Sequence, residues 1–164
     1  MNLSQFSVAS LAALFIFPAQ AQTTSPQPNA KEHSIMHVSG TFEVKLAPQT
    51  AATGIEAAKL GRMTIDKQFA GELDAHSLGE MLATKTEVEG SAGYVAMERV
   101  VGTLQGRKGS FALMHFGVMN RGVPQLTLKV VPDSGTEELI GINGDMAIEI
   151  TKGQHFYHFD FTLP

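Results

Sequence analysis

The chain contains no cysteine. That absence excludes disulfides, zinc–thiolate sites, thiol nucleophiles and a lipid-anchored cysteine. There is no G-x-S-x-G, no phosphate-binding loop, no H-E-x-x-H and no dinucleotide fingerprint. Ser134-Gly135 lacks the strand-turn-helix context that a nucleophile elbow requires. Basic residues number 12 against 16 acids, for a formal net charge of −4. They are scattered, with Arg107-Lys108 as the one adjacent pair, which gives no footprint for nucleic acid. Helical periodicity is also missing; Gly54 to Leu60 could hold one turn. What remains is an ordinary globular composition, 43% hydrophobic and 17% charged over 164 residues, which is enough for one domain with a core.

Residues 1–21 read as an export signal. Val8 to Phe17 is an apolar run, long enough for a signal core and too short to span a bilayer, and Ala19-Gln20-Ala21 supplies a small-x-small cleavage site. No Lys or Arg precedes the run, which departs from the usual signal. Cleavage after Ala21 makes the product periplasmic or secreted, with no membrane association once the signal is gone. Residues 22–34, QTTSPQPNAKEHS, are polar with two prolines and read as a flexible tether. Residues 35–164 form the folded domain.

That domain is written in period two. Met36, Val38, Phe42, Val44 and Leu46 alternate with His37, Ser39, Thr41, Glu43 and Lys45. Met63, Ile65 and Phe69 alternate with Arg62, Thr64, Asp66 and Gln68. Gly71 to Thr84, interrupted at Gly79, is a further strand; Ala92 to Leu104 and Gly109 to Met119 flank the turn QGRKG. Leu126, Leu128 and Val130 mark a strand that ends at Pro132. His155 to Leu163 places Tyr157, Phe159, Phe161 and Leu163 on one side. Eight or nine short strands with turns between them predict an all-β sandwich or barrel, and closure into a barrel removes exposed edges.

Four stretches carry a resemblance: Gly40-Thr41-Phe42-Glu43-Val44, the run from Gly90 to Gly117, VVPDSGTEELIGING from Val130 to Gly144, and the aromatic terminus HFYHFDFTL. Together they resemble the bacterial domain-of-unknown-function family numbered 3224. The resemblance implies an antiparallel barrel of about eight strands, similar to that of allene oxide cyclase, and covers nearly the whole chain after Gly40. It implies no mechanism and assigns no catalytic residue. The family pattern has glycine where this chain has Asp133 and Glu137, and the reading is that those positions do not strictly need it.

The strongest chemical constellation is Tyr94, Glu98 and His115. Tyr94 and Glu98 are four apart and share a strand face. A hairpin loop at Gln105 to Lys108 sets Glu98 directly opposite His115, on a face shared with Phe111 and Leu113; a one-residue slip puts Phe116 there instead. A buried carboxylate beside an imidazole can orient a polar ligand, act as an acid–base pair, or form a satisfied internal pair. A hairpin tip at Asn143-Gly144 would bring Glu138 opposite Glu149 with Asp145 on the same face. Hard cations favour such carboxylates, but the D-x-D-x-D-G loop is missing, so no metal is assigned. His155 and His158 fall on opposite strand faces, and the eight methionines are unclustered, which removes a metal reading from both. No cofactor is indicated.

Three functional readings follow. The first is a binding module that holds a small, mostly apolar molecule in the barrel, with Tyr94, Glu98 and His115 as polar contacts. The second is an isomerase or cyclase using the Glu/His pair. The third is a filled barrel acting as a homo-oligomeric interaction protein through outward apolar residues such as Val95, Met97 and Val101. A sealed core packed with Phe111, Phe159 and Phe161 sinks the first two; an open cavity around Glu98 supports them.

Overall fold

The computed structural model describes residues 34–164. The export segment and residues 22–33 of the tether lie outside the described residues. Eight strands follow one another: β1 (Met36–Gln49), β2 (Gly61–Gly71), β3 (Leu73–Lys85), β4 (Ala92–Leu104), β5 (Arg107–Asn120), β6 (Val123–Val130), β7 (Asn143–Thr151) and β8 (Gln154–Thr162). Each pairs antiparallel with the next, and β8 returns to β1, closing the barrel. Short 3-10 turns at Glu56–Ala58 and Glu137–Leu139 are the helical elements.

Three of the connections are two-residue hairpins: Gln105-Gly106, Arg121-Gly122 and Lys152-Gly153. Both residues of each have positive φ, as a type I′ turn requires for its twist to match the flanking strands. This shortens the β4–β5 loop relative to the sequence expectation. Leu104 pairs with Arg107, so Arg107-Lys108 open β5 instead of lying in the turn. The register moves by two, and Glu98 stands opposite Leu113 while His115 stands opposite Ala96. A shift of two preserves the face, so Glu98 and His115 remain on the same side as diagonal neighbours.

The expected hairpin at Asn143-Gly144 is not there. Neither residue has positive φ, and Asn143 instead begins β7 opposite Thr162. Gly144 serves close approach: a Cβ there would lie 2.3 Å from the Asp160 carbonyl oxygen. The three-acid cluster dissolves with the hairpin. Glu149 faces Phe156 and Asp145 faces Asp160, while Glu138 accepts a hydrogen bond from the Lys108 N–H at 2.8 Å.

The stretch between β6 and β7 is more than a corner. It runs beside the start of β5, where Thr136 donates its N–H to the Ser110 carbonyl at 2.9 Å and Ser134 Oγ accepts the Ala112 N–H at 3.0 Å. It then buries Leu139 and Ile142 in the core. One end of the barrel is thereby sealed. Asp133 and Glu137 within this stretch have φ of 59° and 52°. Both positions thus take left-handed backbone, which glycine adopts most freely, and here side-chain-bearing residues occupy it at a steric cost.

The inward face is dominated by aromatics. Phe69, Phe111, Tyr157, Phe159 and Phe161 are all fully buried, and Phe159 stacks between Phe111 and Phe161 at centroid distances of 5.6 and 5.2 Å. Tyr157 Oη accepts the Leu73 N–H at 3.0 Å, so its buried polar tip is satisfied. Its ring needs Gly40: a Cβ at that position would lie 2.2 Å from the Ala70 carbonyl oxygen and 2.6 Å from Tyr157 Oη. That contact is the physical content of the glycine that opens the GTFEV motif.

Two stability changes follow. Gly40→Ala lowers the urea midpoint by an amount equivalent to about 2–3 kcal/mol, since backbone and a buried ring must both shift. Glu137→Gly raises it by about 1 kcal/mol by relieving a left-handed non-glycine residue. An unchanged midpoint in the first, or a lowered one in the second, contradicts these assignments.

Candidate functional site

Inward-facing residues become steadily more exposed toward the end of the barrel opposite the Leu139–Ile142 plug. At that end Val44, Met63, Met81, Ala83, Tyr94 and Ile148 are half-buried, and Leu46 and Leu126 are exposed at 50% and 39%. Strand register places all of them on the face that carries the core. The inner face is therefore packed at one end and partly exposed at the other, with an apolar rim. Below the rim the sequence places four polar side chains where apolar ones are the rule: Lys67 on β2, Ser77 on β3, Glu98 on β4 and His115 on β5.

These four form one network. Glu98 Oε1 accepts from Lys67 Nζ at 2.7 Å and from His115 Nε2 at 2.8 Å, and Glu98 Oε2 accepts from Ser77 Oγ at 2.6 Å. Burial alone would push the Glu98 carboxyl up. The His115 hydrogen bond and the Lys67 ammonium outweigh that effect and hold it at about 2. Glu98 is thus an anion throughout the physiological range. Lys67 Nζ also lies over the rings of Phe42 and Phe69, at 5.2 and 5.8 Å from their centroids, which compensates part of its desolvation.

The network constrains its own chemistry. A carboxylate with three donors and a pKa near 2 is a poor proton acceptor at neutral pH. Because Glu98 takes the proton on His115 Nε2, a neutral imidazole is fixed in the tautomer whose lone pair is on Nδ1. His115 is itself 3% exposed, so the pair is shut off from solvent.

Tyr94 occupies the next inward layer. It stands opposite Gly117, one layer above the Ala96–His115 pair, and its ring lies where a Gly117 side chain would be: a Cβ there would sit 2.0 Å from Tyr94 Cε1. Burial raises the Tyr94 phenol above its usual range, and the Glu98 carboxylate adds to the effect. The structure therefore brings Glu98 and His115 into direct contact and places Tyr94 over them as a separate layer, facing the rim. Tyr94 also lines a shallow apolar groove with Leu60, Leu82, Ala83, Val95 and Phe116.

Sequence reasoning missed Lys67 and Ser77. The signal was present: Lys67 lies midway between Ile65 and Phe69, so period two assigns it inward, and Ser77 shares the parity of Leu73 and Ala75.

The linkage has a definite sign. Glu98 is depressed in the folded state from an unfolded value of about 4.3, so its contribution is complete above that value and is lost as pH falls toward 2. Urea unfolding across this interval loses about 3 kcal/mol through Glu98 alone, and Glu98→Gln flattens that part of the profile. At neutral pH, Lys67→Met removes a donor and the counter-charge from a buried anion and costs about 3–5 kcal/mol. A loss under about 1 kcal/mol would show that the cluster is hydrated rather than sealed.

The curated proteins contain no match to this chain. Among solved structures, a protein of unknown function from Shewanella oneidensis MR-1 is similar at 56% identity with a TM-score of 0.74, over 80% of this chain and 99% of that one. It is described as coming from the DUF3224 family. The family model described as "Protein of unknown function (DUF3224)" matches residues 38–161, which span all but the outer ends of the barrel. The chain belongs to the DUF3224 family.

Proposed function

We propose that the protein is a small-molecule binding module whose site is the open mouth of the barrel. The observation that carries this reading is the graded exposure of the inward face: apolar side chains left half-exposed above a sealed, fully paired polar layer. Solvating such a rim is unfavourable, and a small apolar molecule of roughly ring size would cover it. Phe111, Phe159 and Phe161 fill the far half of the barrel and Glu98 and His115 are buried, which goes against an enclosed ligand held on Glu98 and His115; the ligand proposed here lies at the mouth instead. Tyr94 provides the floor, with its hydroxyl as a hydrogen-bonding group. Glu98 and His115 support that floor from beneath instead of touching the ligand directly.

Binding of the apolar fluorophore 1-anilinonaphthalene-8-sulfonate tests the reading. Saturable one-to-one binding that is weakened at least tenfold by Met63→Glu or Met81→Glu, and spared by Leu78→Glu on the outer face, supports it. Binding that survives both rim substitutions sinks it.

A further inference from the structure

The outer face of β3, β4 and β5 is largely apolar across three strands, broken by Glu80 on β3 and by Arg99 on β4, whose guanidinium donates to Ser110 Oγ at 3.2 Å. Leu82, Val95 and Phe116 are consecutive cross-strand partners, and Met97 and Met114 are partners in the next row. Leu78 and Val101 extend the patch along β3 and β4. All are well exposed, with Leu78 and Phe116 at 58% and Val101 at 55%. Soluble monomers rarely leave such a patch uncovered. Seven large side chains at about half exposure offer on the order of 700 Å², near the ~800 Å² per partner of a standard interface. The closed barrel presents no strand edge here, so a partner must pack face to face.

The charges on this face select the partner. The row through the two methionines runs Glu80, Met97, Met114, Lys129. Its acid and its base sit at equal distances from the centre of the row. A two-fold axis parallel to the strands, passing between β4 and β5, sets Met97 against Met114 of a second copy. The same rotation sets Glu80 against Lys129 of that copy and Val95 against its Phe116. This is the self-complementarity an isologous interface requires. Both end charges already have internal partners, Glu80 with Arg62 and Lys129 with Asp145, so the rim carries no excess of one sign to repel a copy.

We infer that the protein forms a two-fold dimer through the outer face of β3–β5. The inference is independent of the ligand proposed for the mouth. Sedimentation velocity on the chain without residues 1–21, across concentrations up to about 100 μM, tests it. Wild type sediments as a dimer and Met97→Glu as a monomer with an unchanged circular dichroism spectrum. Glu80→Lys weakens association about tenfold, and Glu80→Lys combined with Lys129→Glu restores it. A monomeric wild type at the highest concentration, or a dimer indifferent to Met97→Glu, overturns the interface. A Glu80→Lys defect that Lys129→Glu leaves unrepaired overturns the two-fold arrangement.

Discussion

Glu98 ties four consecutive strands together from inside the barrel. Its two oxygens receive donors from β2, β3 and β5, and it stands on β4 itself. The side chains around it accommodate this one anion. Lys67 supplies the charge that makes burial tolerable, and the Phe42 and Phe69 rings accept the far side of its ammonium. Gly79 lets β4 approach closely at Glu98, since a Cβ at Gly79 would lie 2.2 Å from the Met97 carbonyl oxygen and 2.7 Å from Glu98 Cβ. A buried ionic group of this kind stabilises little against an apolar replacement, but breaking it is costly. Its natural role is to fix the register of β2 through β5, because a slip of one residue would turn charged side chains outward and leave Glu98 unpaired.

The barrel has two unlike ends for two distinct reasons. At one end, the stretch from Val131 to Ile142 leaves β6, runs beside β5 and drops Leu139 and Ile142 into the aromatic core. It does so by holding Asp133 and Glu137 in left-handed conformation. At the other end the connections are tight turns or surface loops that contribute no buried side chain, so the inward residues above Glu98 remain partly wet. The contrast leaves half-buried apolar side chains on the inner face at that end, with Tyr94 between them and the Glu98 layer.

Much of this architecture was legible in the residues. Alternation in β1, β2 and β8 gave the faces, and pairing across the β4–β5 hairpin put Glu98 and His115 on one face despite an incorrect loop length. That robustness has a geometric cause: the register error was two, and period two forgives even errors. The failures also have causes. Asn143-Gly144 imitates a hairpin tip, yet tertiary crowding by Asp160 explains its glycine and the true turn is Lys152-Gly153. Lys67 was passed over because a lysine in a hydrophobic alternation looks like an interruption until its counter-charge, 31 residues away, is seen.

The sequence by itself determined the all-β class, the strand faces and the family, because these depend on local periodicity and on short motifs. Only the tertiary structure decided which polar residues meet, which end is sealed and where apolar surface is left over. Those depend on closing β8 against β1 and on the exact turn lengths, quantities set by the sum of many pairings rather than by any one segment. For the stretch from Val130 to Met146, sequence showed glycines and acids. Closure of the barrel made them a plug.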